Sequence, residues 1–266
     1  MGLLVLDRAM SDSLRAAFRD REPLLGHWLS IGHPAVAEVL AMAEGDFVLI
    51  DTEHTPTGWE TLQSLVHAIE AADGTSVPLV RLPDNDPVAV KRVLDTGVSA
   101  IMAPMVDTPE AAEALVSAAT YPPAGTRGVG GARAAGYGID FREYVGHADE
   151  RIAIVAQIER AAAVENARAI AAVEGIDALF VGPSDLSASL DTFGDLESAT
   201  FQRAVDDVLA AAEAEDVATG LFVPRVDDVN TWVDAGFDYV VGGKDTMHLW
   251  NGAGDVAAAF SAAIDR

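Results

Sequence analysis

Four places in the 266-residue chain put acid, base and cation chemistry directly after apolar runs: Asp51-Thr52-Glu53-His54, Arg81, Gln157 with Glu159, and Gly182-Pro183-Ser184-Asp185. Carboxylates are oxygen donors for a hard divalent cation, imidazole accepts a proton near neutral pH, and guanidinium is a permanent cation suited to an anionic substrate. Each residue also has a bland reading. Glu159 could complement the dipole of a helix beginning near Ala161, and Asp185 could be an N-cap. Arg81 could pair with any of 42 acids, and His54 could sit in a loop. Four strand ends carrying complementary chemistry favour one shared site over four unrelated roles. The other histidines, His27, His33, His67, His147 and His248, show no metal-ligand spacing and read as structural.

The elements that must position these groups are legible from periodicity. Apolar runs at Leu24–Ile31, Phe47–Asp51, Pro78–Leu82, Ala100–Met105, Ile152–Ile158, Ala178–Gly182, Thr219–Val223 and Tyr239–Gly242 predict strands. Between and after them, helical spacing predicts helices at Ala35–Glu44, Gly58–Ala72, Pro87–Thr96, Pro109–Ala119, Ala161–Val173, Ala199–Asp216, Val226–Ala235 and Val256–Ile264. Alternating strand and helix implies a parallel sheet, because a parallel crossover needs a long connection. Eight such units favour closure into a single-domain (β/α)8 TIM barrel over 1–266, with the C-terminal strand ends converging on one mouth. Gly45, Gly97, Gly175 and Gly236 precede strands and suit left-handed helix ends. The stretch Tyr121–Tyr144 lacks periodicity; it connects a helix to a strand, on the face opposite the mouth, where a subunit contact is a natural role.

Composition narrows the function. Seventeen Lys and Arg against 42 Asp and Glu leave a net charge of −25, which argues against nucleic acid as a partner. Zero cysteine removes disulfides, thiolate metal sites and cysteine nucleophiles. Two lysines, Lys91 and Lys244, stand beside fifteen arginines, an acidic, lysine-poor balance that resembles salt-in halophiles. The longest uncharged stretch, Pro23–Ala37, is 15 residues with two prolines, too short and polar to span a membrane. Met1–Asp7 lacks the features of a signal peptide, so a cytoplasmic location is expected.

Five motifs then carry a resemblance: Asp51-Thr52-Glu53-His54, Leu94-Asp95-Thr96-Gly97, Tyr121-Pro122-Pro123-Ala124-Gly125-Thr126-Arg127-Gly128, Gln157-Ile158-Glu159 and Val181-Gly182-Pro183-Ser184-Asp185-Leu186-Ser187. In this order, from about Leu24 to about Asp245, they resemble the HpcH/HpaI aldolase family of class II pyruvate aldolases. The resemblance implies that Glu159 and Asp185 ligate Mg, Mn or Co, that His54 is the base, and that Asp95 raises its basicity. It further implies that Arg81 stabilises the enolate, and that Gln157, Gly182, Pro183, Ser184 and Asp185 contact pyruvate, with Trp28 near the mouth. Two departures stand out: Arg160 where the family commonly has Thr, and Asp191 where it often has Gly. The family also implies a homo-oligomer, a hexamer with exchanged C-terminal helices, and Val256–Ile264 carries a compatible apolar face.

The expected reaction is metal-dependent aldol cleavage of a 2-keto-3-deoxy sugar acid, or a related 4-hydroxy-2-oxo acid, to pyruvate and an aldehyde. Competing readings are a Schiff-base aldolase using Lys244, a CoA-ester lyase, a macrophomate-synthase-like decarboxylase and a non-catalytic keto-acid-binding barrel. Gly242-Gly243 is too slight a glycine motif to mark a phosphate loop.

Overall fold

A computed structural model describes residues 11–264. Eight parallel strands close in chain order into a barrel: β1 (Leu24–Leu29), β2 (Phe47–Asp51), β3 (Val77–Arg81), β4 (Ala100–Ala103), β5 (Ala153–Ile158), β6 (Ala178–Val181), β7 (Ala218–Val223) and β8 (Tyr239–Lys244). β8 closes the ring by pairing with β1. The strands read as continuous apolar runs because both of their faces are buried. Phe47, Leu49, Leu79, Met102, Val155, Phe180, Tyr239 and Val241 fill the barrel interior. Alternate residues such as Val48, Ile50, Val80, Ile101, Ile154, Leu179 and Leu221 point outward into the helical shell.

That shell comprises α2 (Pro34–Met42), α3 (Trp59–Ala71), α4 (Pro87–Asp95), α5 (Pro109–Ala119), α6 (Phe141–Arg151), α7 (Ala161–Glu165), α8 (Ala167–Ala171), α9 (Pro183–Ser189), α10 (Ala199–Glu215) and α11 (Val229–Asp234), and α12 (Asp245–Ile264) follows β8. Helix starts follow local chemistry. Pro34, Pro87 and Pro109 open α2, α4 and α5, and the side chains of His33, Asp86 and Thr108 cap free amides there.

Several boundaries differ from the sequence expectation. A helix α1 (Ser11–Arg19) precedes the barrel, and its buried Leu14 and Phe18 join the interior cluster at the end opposite the mouth. Its Arg15 and Arg19 both donate to Asp177, a tertiary pairing that no local pattern reveals. The helix expected over 161–173 breaks at Asn166, whose φ of −100° and ψ of 0° leave helical geometry and whose side chain donates to the Asp107 carbonyl. β1 stops at Leu29 and β4 at Ala103, each two residues before the expected end. The Tyr121–Tyr144 stretch contains a 3-10 turn at Arg133–Gly138 and the start of α6. The last helix begins at Asp245, not Val256, and continues through Gly252 and Gly254 despite their low helix propensity. Gly97, Gly175 and Gly236 take positive φ as expected, whereas Gly45 does not, because α2 ends in extended backbone at Ala43. The reading of Met1–Asp7 lies outside the described residues. Among them, no helix is long and apolar enough to cross a membrane.

Candidate active site

The inward phase of the strands delivers Trp28, Asp51, Arg81 and Gln157 to the C-terminal mouth, where Glu159 and Asp185 follow on the connecting segments. Asp51 is the hub. Its Oδ1 accepts Arg81 Nε at 3.0 Å and the amides of Glu53 and His54 at 3.0 and 3.3 Å. Its Oδ2 accepts Arg81 Nη2 at 2.8 Å and Trp28 Nε1 at 3.4 Å. The fork-to-fork geometry fixes the guanidinium plane, which also lies 4.6 Å from the Trp28 ring centroid. Arg81 is only 3% exposed, so its charge is available at the mouth without being free to move. Burial pushes the Asp51 carboxyl up, but Arg81's hydrogen bonds and charge outweigh burial and hold it below the ordinary carboxylate value.

The bend after β2 carries the remaining groups of this side. Glu53 Oε2 stands 2.8 Å from Arg81 Nη1, an ion-pair contact lacking hydrogen-bond alignment, so this buried oxygen is left unsatisfied. His54 is exposed to the mouth, with Nε2 3.8 Å from Glu53 Oε1. The carboxylate beside His54 is therefore Glu53, not Asp95. Asp95 ends α4, on the face opposite the mouth, and pairs with Arg127 Nη2 at 3.3 Å. Helices of a barrel run against their strands, so the C-terminal residue of α4 cannot share the rim with a residue following β2. Within one chain Asp95 and His54 therefore do not meet.

Across the mouth, Glu159 is 2% exposed. Its Oε1 accepts the Met105 amide at 2.6 Å, and Gln157 Nε2 donates to its Oε2. Burial, reinforced by the nearby charges of Glu53 and Asp185, pushes its carboxyl up to about 7 against the lowering effect of the Met105 amide and Arg81. Burial likewise raises Glu53, against the pull of Arg81 and His54. Gln157 Oε1 is a second buried oxygen without a partner. Gly182 closes the cradle: a Cβ there would come within 2.8 Å of Gln157 Nε2 and 3.1 Å of Glu159 Oε2. Asp185 lies exposed in the first turn of α9, after the buried Gly182 and Pro183 and the exposed Ser184.

Oxygen donors, two unsatisfied buried oxygens and carboxylates raised by burial fit a hard divalent cation better than they fit an empty apolar pocket. Glu159 and Asp185 are the oxygen donors of the mouth that could hold it. Among the described residues no cluster of three or more His, Asp or Glu forms a closed metal cage, so water or substrate would have to complete any coordination shell.

The two departures also find places. Arg160 turns away from Glu159 to Asp107 Oδ2 at 3.0 Å and the Met105 sulfur at 3.0 Å. Asp191 has φ of +56°, a conformation suited to Gly and among the few non-Gly residues most readily taken by Asn and Asp. Of the five histidines set aside as structural, His33 caps α2, His27 contacts the Glu44 carbonyl and His147 pairs with Glu150. Asp51 and Glu53 were visible as strand-end acids, but nothing local distinguished the hub from its neighbours. Lys244 also enters the mouth, beside Trp28 and Phe222.

A closed (β/α)8 barrel with an acid–guanidinium–amide constellation at its C-terminal mouth is the architecture of a barrel enzyme, whose chemistry sits on that face. The chain belongs to the HpcH/HpaI aldolase/citrate lyase family, whose model matches residues 24–252. It is 41% identical over 244 residues to a 4-hydroxy-2-oxovalerate aldolase of Novosphingobium aromaticivorans, covering 92% of each chain. It is also 41% identical to a hydroxypyruvate/pyruvate aldolase of Paraburkholderia phytofirmans, covering 90% of this chain and 94% of that one. A crystal structure of an HpcH/HpaI aldolase/citrate lyase family protein from Burkholderia cenocepacia superposes with a TM-score of 0.91 at 37% identity, over 94% of this chain and 99% of that one. The chain is a carbon–carbon lyase of the aldolase kind.

Proposed function

We propose that this lyase reversibly cleaves a 2-keto-3-deoxy sugar acid, or a related 4-hydroxy-2-oxo acid, into pyruvate and an aldehyde, and that it does so with a divalent metal: Mg, Mn or Co. The observation that carries the reading is the buried Gln157–Glu159 pair facing Arg81 across the mouth, with unsatisfied oxygens on Gln157 and Glu53. The relatives' names, each that of an aldolase on a 2-oxo acid, support the keto-acid half of the substrate. Glu159 and Asp185 would hold the cation, which supplies Lewis-acid polarisation of a keto oxygen when bound.

The chain's own residues account for the rest. In the synthetic direction His54 takes a proton from the pyruvate methyl group, with Glu53 Oε1 3.8 Å from its Nε2. The electron pair left on carbon is delocalised toward the keto oxygen. Arg81, locked by Asp51, presents charge to that oxygen without having to titrate or reorganise. The carbon then attacks the aldehyde carbonyl, whose oxygen receives, directly or through water, the proton that His54 took, as the new C–C bond forms; cleavage is the same path reversed. Gln157 and the Gly182-Pro183-Ser184-Asp185 segment line the pyruvate half, and Trp28 forms the floor beneath Arg81. This reading places the enzyme in the cytoplasm as a homo-oligomer, up to a hexamer. The exposed apolar side chains of α12, among them Leu249, Trp250, Phe260 and Ile264, supply a face that its own barrel leaves uncovered.

Deuterium exchange at the pyruvate methyl group, followed by NMR in molar KCl, tests the half-reaction. Exchange that needs Mn or Mg and stops with excess EDTA supports the proposal. Exchange unaffected by EDTA removes the metal from it.

A further inference from the structure

Arg160 occupies a position where a helix start favours a short polar side chain. It is the N-cap of α7, with extended backbone at φ −137° and ψ 154°, and among the described residues its side chain makes no capping hydrogen bond. Ser, Thr, Asp and Asn suit this position because a nearby side-chain oxygen can accept from the free amides of the first turn. Here the Ala161 amide donates instead to Ser189 Oγ at 2.9 Å, from the end of α9. The capping task has moved to another element, and the side chain at 160 reaches elsewhere.

Its reach is to the turn after β4. Arg160 Nη1 donates to Asp107 Oδ2 at 3.0 Å, and Nη2 lies 3.0 Å from the Met105 sulfur. Asp107 Oδ1 is buried with no partner among the described residues, which makes the Arg160 contact the hydrogen bond of that carboxylate. Asn166 Nδ2 holds the Asp107 carbonyl at 2.8 Å. Met105 begins this turn with φ of +53°, a left-handed conformation rare outside Gly, Asn and Asp. Met has no polar group of its own to support it, so the surroundings must. The conformation aims the Met105 amide at Glu159 Oε1, 2.6 Å away, while Gln157 Nε2 donates to the other oxygen. Glu159 and Arg160 thus grip one turn from its two sides. The first takes the turn's backbone amide within the mouth, and the second holds its side chains outside.

Resting on the metal reading above, we propose that Arg160 is a positioning residue: it clamps the 105–107 turn so that the Met105 amide fixes Glu159 in the orientation a divalent cation requires. Groups that hydrogen-bond a metal ligand set its direction, and their loss typically weakens the metal by tenfold to a hundredfold. Glu159 is 2% exposed, so an amide pointed at one of its oxygens leaves it few other orientations. The Arg160–Asp107 pair is itself partly exposed, with side chains 47% and 26% accessible, and a pair so placed adds little to global stability. Its consequence is local, at the turn and at the carboxylate that the turn holds.

The test compares full-length wild type, Arg160→Met, Met105→Gly and the double variant in molar KCl, which screens weak binding of cations to the acidic surface. Mn affinity is read by paramagnetic resonance, counting the binding that Glu159→Gln abolishes. Hydrogen exchange of peptides covering 103–108 is read by mass spectrometry on metal-free protein. Arg160→Met should raise the Mn Kd by on the order of tenfold. It should also speed exchange of the Met105 amide by on the order of tenfold, with Tm within about 3 °C of wild type. Gly takes positive φ without strain, so in the Met105→Gly background the same change should raise Kd by less than about threefold. An unchanged Kd or an unchanged Met105 exchange in Arg160→Met overturns the proposal. So does an equal loss of affinity with and without Met105→Gly, which would assign the effect to the Arg160 charge and not to the turn. If wild type binds no Mn, the metal reading fails, and exchange in the metal-free protein still decides whether Arg160 holds the turn.

Discussion

Replacing Asp51 by Ala probes the central joint of the mouth. The variant removes the acceptor of five hydrogen bonds and strips a bidentate partner from an arginine that is 3% exposed. Breaking a buried pair by deleting one partner costs about 3–5 kcal/mol. Glu53 remains 2.8 Å from Arg81 Nη1 and keeps the charge partly compensated, which favours the lower end, about 3 kcal/mol. For a chain of this size that corresponds to a Tm lower by roughly 6–12 °C. Asp51→Asn adds a pH signature. The Asp51 carboxyl lies below its ordinary value in the folded protein, so the folded state binds this proton less readily than the unfolded chain. Its stabilisation is fully present above an unfolded pKa of about 4 and is lost as pH falls through the lower folded value. The stability gap between wild type and Asp51→Asn should accordingly be constant near neutrality and shrink below about pH 4. Thermal unfolding in molar KCl across pH 3–8 reads both effects. A Tm for Asp51→Ala within about 2 °C of wild type would refute the hub, since that is less than roughly 1 kcal/mol.

The other expectations concern the reaction and the surface. Glu159→Gln and Asp185→Asn should each lower metal-dependent turnover by on the order of a thousandfold, the several kcal/mol that a Lewis acid supplies, while circular dichroism stays unchanged. Full activity in either variant would remove that residue from the metal site. His54→Asn should slow methyl exchange of pyruvate by on the order of a hundredfold or more, and undiminished exchange would assign the base elsewhere. With a net charge of −25, the protein should lose thermal stability as salt falls from molar to millimolar, because unscreened acids repel; equal melting temperatures would count against a halophilic surface.

The separation between what was legible and what was not follows the range of the interactions involved. Strand runs such as Phe47–Asp51 and Ala178–Val181 are apolar because both faces are covered, a burial requirement written into consecutive residues. Pro and polar caps at 33–34, 86–87 and 108–109 announce helix starts by chemistry within a few residues. Eight such alternations, with acids, His54 and Arg81 at strand ends, define the barrel and its working face from sequence, since periodicity and local capping depend only on near neighbours. Tertiary structure alone decided which groups meet. Asp95 lies in a well-formed motif, yet helix direction carries it to the face opposite His54 and into a pair with Arg127. Asp51 differs from other strand-end acids only because Arg81, 30 residues away, aligns both guanidinium donors on it. The register shift that sets Gly26 opposite Val241 but Trp28 opposite Lys244 exists only between β1 and β8, the two strands farthest apart in the chain. The sequence determined the scaffold and the set of reactive groups through short-range physics, and barrel closure decided which of them share a surface.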